Sequence, residues 1–139
     1  MNSEEDQRYI DEIASLLAVD TEYPLDGTLL YVTAWDDHVS PAIFKSAGNH
    51  IMYRDPDMNL LANKVWDFWK SQTGDVRWCE MEYLIQDGKF TLSYAYPDEI
   101  DPDERSFDRR DRIVAKYFGD RPILYPPWDE SDDEPIYDL

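Results

Sequence analysis

The chain is poor in cysteine, glycine, histidine and positive charge. Its 139 residues hold one cysteine, Cys79, so no intrachain disulfide can form and a disulfide-stapled scaffold is excluded. Five glycines are scattered as turn residues, which leaves no glycine-rich loop to cradle a phosphate. The two histidines, His38 and His50, sit near turns, with no serine or cysteine in a nucleophile elbow. No window approaches the roughly 18 apolar residues of a membrane span. The first residues, Met-Asn-Ser-Glu-Glu-Asp, carry no basic segment with an apolar run behind it. These absences lead us to expect a cytoplasmic protein with Cys79 as inward packing.

What is abundant is negative charge together with aromatic side chains. Asp and Glu number 31 against 13 Lys and Arg, a formal charge of -18, while Phe, Trp and Tyr make up 14% of the chain. Disordered acidic chains are poor in aromatics, so this composition argues for a folded domain with a strong negative field. Such a field attracts cationic partners and repels nucleic acid and anionic membranes. The length suits one domain, expected over residues 1–119, followed by an acidic, proline-rich tail over 120–139.

The spacing of apolar residues predicts the elements. Ile10, Ile13, Leu16 and Leu17 form a helical stripe over 3–17, with Glu4, Glu5 and Asp6 at the positive end of the dipole. Residues 28–36 read as a strand, 42–46 and 50–53 as shorter strands around the Gly48-Asn49 turn. Asp57 is expected to cap a second helix running to about Gln72, with Met58, Leu61, Val65, Phe68 and Trp69 on its apolar side. A third helix over 106–118 carries Phe107, Ile113, Val114 and Tyr117, with Gly119 just past its end.

The sharpest local signal is Asp87-Gly88 between two strand-like runs, which suits a two-residue type I′ hairpin turn. That turn opposes Ile85 to Phe90, Tyr83 to Leu92, Met81 to Tyr94 and Cys79 to Tyr96, all on one face. The other face pairs Leu84 with Thr91, Glu82 with Ser93 and Glu80 with Ala95, and reads as solvent-facing. A slip of one residue would invert the pattern, so agreement between the strands supports the register. Helix, strands, helix, hairpin and helix together predict an α+β domain, a mainly antiparallel sheet with helices packed on one face.

Signals for chemistry are weak. Asp55, Asp57 and Asn59 alternate, but an EF-hand needs glycine at its sixth position and glutamate at its twelfth, where Leu60 and Trp66 stand. No metal or cofactor site is expected. Arg105, Arg109, Arg110, Arg112 and Lys116 cluster on the third helix among Asp108, Asp111 and the preceding acids, which favours internal ion pairing over nucleic-acid binding. Surface recognition is left. The candidate contacts are Asp98, Glu99, Asp101, Asp103 and Glu104 in the loop, and Glu80 and Glu82 on the hairpin. Trp78 is the candidate aromatic anchor, with Trp35 and Trp128 as further ones.

The run from Trp78 to Tyr96, with its Asp87-Gly88-Lys89-Phe90 turn and Tyr94-Ala95-Tyr96 end, leads into these acids. Arg109-Arg110 and a helix ending Lys116-Tyr117-Phe118-Gly119 follow. In this order the features resemble the YezG-like immunity proteins, cytoplasmic bacterial antitoxins encoded beside polymorphic toxins. The strand 29–34 and the helix with Trp66 and Trp69 fit the same layout, so the resemblance spans about residues 28–119 and leaves the tail without a counterpart. It implies binding and inhibition of a cognate toxin, often a nuclease, with no catalysis by the immunity protein. A nuclease toxin is expected to be basic because it holds phosphates, and an acidic partner suits that surface. The rival expectations are an acidic adaptor for a cellular protein, separated by the absence of a neighbouring toxin gene, and a small hydrolase built around His38 or His50.

Overall fold

The computed structural model describes residues 3–35, 38–72 and 77–125. Among them, three α-helices and one six-stranded, mostly antiparallel sheet make an α+β domain. Helix α1 (Ser3–Leu17) leads into β1 (Thr28–Trp35), β2 (His38–Ala47) and β3 (His50–Arg54). Helix α2 (Leu60–Ser71) precedes the hairpin β4 (Glu80–Gln86) and β5 (Lys89–Ala95). A 3-10 turn (Pro97–Glu99), α3 (Ser106–Phe118) and β6 (Ile123–Leu124) are the last elements of the described residues. The strand order is β5-β4-β1-β2-β3-β6. No described helix is long and apolar enough to cross a membrane.

The hairpin has the expected register: Ile85 opposes Phe90, Tyr83 opposes Leu92, and Met81 opposes Tyr94. Asp87 and Gly88 both have positive φ, 57° and 73°, as a type I′ turn requires. Between β2 and β3, Gly48 takes φ of 71° in the two-residue connection that pairs Ala47 with His50. Strand β2 starts earlier than its apolar pattern suggests, because Pro41 sits inside it. Proline is tolerated there because β3 pairs with residues 43–47 only, so among the described residues the stretch around Pro41 has β1 as its sole strand neighbour. The Asp57 carboxylate accepts hydrogen bonds from the backbone N–H groups of Asn59 and Leu60, at 2.8 and 2.9 Å, and so organises the start of α2. Met58 and Leu60 stay exposed, since the helix begins beyond the first and turns the second away from the sheet.

Each face of the sheet carries its own core. On one side, Ile10, Ile13 and Leu17 of α1 and Leu61, Val65, Phe68 and Trp69 of α2 pack against Leu30, Val32, Met81, Tyr83 and Ile85. Truncating the fully buried Phe68 to alanine costs about 3–5 kcal/mol at such a site. On the other side, Ile113, Val114 and Phe118 of α3 pack against Leu29, Tyr31, Ala42, Phe44 and Ile51. The expectation of helices on one face therefore holds for α1 and α2 and fails for α3. The cause is legible in β1, whose residues 28–32 are all buried: a strand covered on both faces reads as a continuous apolar run.

The sheet also continues past Gly119. Ile123 and Leu124 pair in parallel with Ile51 and Met52, and the Ile51 N–H donates to the Pro122 carbonyl at 2.9 Å. Tyr125 lies 5.2 Å, ring to ring, from Tyr53. Trp128 and the tail acids lie outside the described residues. The loop before β1 is pinned by Arg54, which donates to Asp20 at 2.7 Å and to Glu22 at 2.8 Å. Lys45 is fully buried beneath this loop and donates to the Pro24 carbonyl at 3.3 Å, and burial pushes its amine below the usual lysine range.

Candidate recognition surface

The face covered by α3 decides which of the expected contact residues meet solvent. Glu80 and Glu82 point from β4 toward this face, as the hairpin register requires, but α3 lies over them and both are buried, 5% and 7% exposed. A buried carboxylate needs partners, and the basic side of α3 supplies them. Arg109 donates from Nε and Nη2 to the two Glu80 oxygens at 2.8 and 2.9 Å, a bidentate pair. The Tyr31 hydroxyl donates to the same carboxylate at 2.7 Å. About two turns further along α3, Lys116 donates to Glu82 at 2.7 Å, and the Tyr117 hydroxyl donates to the same oxygen. Burial, then Glu80, raises the Tyr31 phenol well above the usual tyrosine range, and burial with Glu82 does the same for Tyr117.

Three of the expected contacts are thus corrected. Glu80 and Glu82 are structural anchors for α3 rather than surface acids. Trp78 is 2% exposed: its ring stacks on Tyr94 at 5.7 Å, and its carbonyl accepts the Trp69 indole N–H at 2.7 Å. It lies just before β4, where α2 returns to the sheet and closes over it. Phe90 and Tyr96, by contrast, were expected inside and are 43% and 39% exposed, because β5 is an edge strand that α1 and α2 only partly overlap.

The loop acids divide. Glu104 is held by Arg112 through two hydrogen bonds of 2.9 Å and by Arg109 at 3.4 Å, and Arg112 keeps its carboxyl below the usual carboxylate range. Glu104 closes the near end of the ion-pair row and lines the groove beside the loop. Asp98, Glu99, Asp101 and Asp103 are exposed, and none forms a salt bridge with a described cation. Two of them shape their own loop: the Glu99 carboxylate accepts the Tyr96 N–H at 2.8 Å, and Asp101 accepts the Asp103 N–H at 2.9 Å. These local bonds fix the backbone so that the carboxylates project from a defined turn.

Beside this loop lies a groove of about 390 Å³ on the α3 face. Its floor is Tyr31, Thr33, Ser40 and Ala42, and its walls include Trp35, Ile100, Phe107 and Arg110. Trp35 is 50% exposed and Phe107 68%, so each presents a large apolar surface to solvent. Trp35 is exposed, as the sequence suggests. Phe107 is not where the sequence suggests: its position on the apolar side of α3 points to the core, but it falls in the first turn, beyond the sheet that Ile113 and Val114 cover. The Arg110 guanidinium lies over the rings of Phe107 and Phe44, at 4.9 and 5.5 Å, and donates to the Tyr125 hydroxyl at 2.8 Å. A cation stacked in this way stiffens the wall.

The residues with reactive side chains are arranged otherwise. His38 is exposed with its ring edge-on to Trp35 at 4.9 Å, and His50 contacts the Asn49 amide at 3.1 Å. Neither is hydrogen-bonded to a carboxylate among the described residues. Burial raises the Cys79 thiol above its usual range, which lowers its thiolate character. Among the described residues no group of three potential ligands could hold a metal ion. Compared with known proteins, the chain matches no family model, and no curated protein matches it significantly.

Proposed function

We propose that this chain is an immunity protein: it binds a basic, nuclease-type toxin domain and blocks it by direct contact. One observation carries the proposal. Three cations of α3 are committed to other carboxylates, Arg109 to Glu80, Arg112 to Glu104 and Lys116 to Glu82, and no described cation forms a salt bridge with Asp98, Glu99, Asp101 or Asp103, so these four acids keep their charge for a partner. Ile100 and Glu104 of the same loop line the groove together with exposed Trp35 and Phe107, and fixed charge near large apolar anchors is the composition of a tight protein contact. The net charge of -18 extends the attraction beyond the contact and speeds encounter with a cationic surface. The resemblance of residues 28–119 to YezG-like immunity proteins supports the same reading.

Co-expression with the basic C-terminal domain encoded by the adjacent reading frame tests it. Growth is restored when this chain is present, and the two proteins copurify. Continued toxicity in the presence of well-expressed, folded protein overturns the proposal.

A further inference from the structure

The two edges of the sheet are finished differently. At one edge, β3 is covered by the two-residue β6 next to Pro122, a short strand beside a proline, which blunts pairing with another chain. At the other edge β5 runs for seven residues, Lys89–Ala95, with β4 as its only strand neighbour among the described residues. Its register with β4 is unbroken from Lys89 to Ala95, so no bulge twists it away. It contains no proline, and its single charged residue, Lys89, stands at its start. Among the described residues, the devices that normally guard an edge are missing here.

The turn determines which backbone groups are open. A type I′ turn at Asp87-Gly88 closes with the Lys89 N–H directed to the Gln86 carbonyl, so Lys89 faces β4. Alternation along the strand then directs the N–H and C=O groups of Phe90, Leu92 and Tyr94 away from β4, toward solvent. No hydrogen bond from a described residue reaches these backbone groups. On either side of them, Leu92 and Tyr94 are anchored in the core while Thr91 and Ser93 are exposed.

We propose that the β5 edge receives an extended strand from the toxin partner, adding a seventh strand to the sheet. This rests on the immunity reading above and specifies how the partner docks. Charge selects the occupant. The strand leads directly into Asp98, Glu99, Asp101 and Asp103, so an antiparallel guest with lysine or arginine at its N-terminal end meets these acids as it pairs. A second copy of this chain is disfavoured, because each copy brings a charge of -18 to the shared edge. Main-chain hydrogen bonds supply affinity in this mode, and the terminal cations set direction.

Amide hydrogen exchange with the synthetic peptide Lys-Arg-Thr-Val-Thr-Val-Thr as probe tests the inference on the unaltered protein. In the free protein the amides of Leu92 and Tyr94 exchange fast while those of Thr91 and Ser93 are protected. Saturating peptide slows the outward amides by roughly tenfold or more. The variant Phe90→Pro removes one outward donor at a more exposed position of the edge strand, where proline is tolerated, and it weakens the effect at Leu92 and Tyr94. Unchanged exchange at Leu92 and Tyr94 with saturating peptide overturns the inference, as does concentration-dependent protection without peptide, which would assign the edge to a second copy. Rescue of growth in co-expression alongside unprotected amides rejects the edge and leaves the immunity function standing. Protected amides without rescue do the reverse.

Discussion

Arg109 grips Glu80 across 29 residues of chain, with both guanidinium hydrogen bonds below 3.0 Å and the carboxylate sealed under α3. This contact ties the third helix to the sheet and removes from the surface an acid that alternation along β4 assigns to it. It also separates residues that hold the fold from residues that are free to bind.

Replacing Arg109 with methionine leaves Glu80 buried without its counter-ion. Breaking such a pair costs about 3–5 kcal/mol, toward the lower end here because Tyr31 still donates to the carboxylate. Urea unfolding should show the loss as a lower midpoint. The double variant Arg109→Met with Glu80→Gln should recover part of it, since no charge is then left unpaired. A single variant as stable as the parent would show that the pair does not hold α3.

Asp98→Asn and Asp103→Asn remove two exposed charges whose carboxylates make no hydrogen bond to another described residue. Stability should stay within about 0.5 kcal/mol of the parent. Association with the toxin domain should slow, and its dependence on salt between about 0.05 and 0.5 M should flatten. Stopped-flow mixing reads both. An unchanged rate for the double variant would make the loop charge a matter of solubility alone.

Trp35→Ala and Phe107→Ala should each weaken toxin binding by roughly 1–2 kcal/mol, as truncated anchors beside a contact do. Both side chains are at least half exposed, so thermal unfolding should barely move. Calorimetric titration measures the first and a melting curve the second. Equal affinity for both variants would exclude the groove from the interface.

Stability should fall under alkaline conditions. Burial, then Asp11, pushes the Tyr83 phenol up to about 12, and burial, then Asp6, pushes Tyr94 up to about 12. A phenol with a folded pKa raised above the unfolded value of about 10 favours the neutral, folded form. Its contribution is complete below about pH 10 and is lost as pH rises through the folded value. Tyr83 also donates to the Ile10 carbonyl at 3.1 Å, a bond that ionisation removes. Tyr83→Phe should therefore cost about 1 kcal/mol at neutral pH and make the decline above pH 10 shallower. Urea midpoints taken across pH for parent and variant check this; parallel curves would mean that Tyr83 takes no part in it.

The hairpin was the most legible part of the fold. Asp87 and Gly88 both need positive φ, which few residue pairs accept, and the two-residue turn leaves one register open. The helices were legible because apolar residues recur at three and four, and Asp57 marked the start of α2 by its short hydrogen-bonding side chain. The candidate recognition surface was legible only in part. Asp98, Glu99, Asp101 and Asp103 lie in a loop whose prolines and acids exclude burial, so their exposure follows from composition. Glu80, Glu82 and Trp78 did not announce their burial. The available clue was indirect: Leu29, Leu30, Tyr31 and Val32 run without a polar break, as a strand does when a helix covers each face.

Sequence alone determined the turn, the strand pairing around it, the helical stripes and the sign of the protein's field. Each depends on backbone geometry within a few residues, or on a simple sum of charges. Only the tertiary structure decided which carboxylates carry that field outward. A carboxylate's solvation depends on what lies above it, and for Glu80 and Glu82 that is a helix whose Arg109 and Lys116 come from 29 and 34 residues further along the chain.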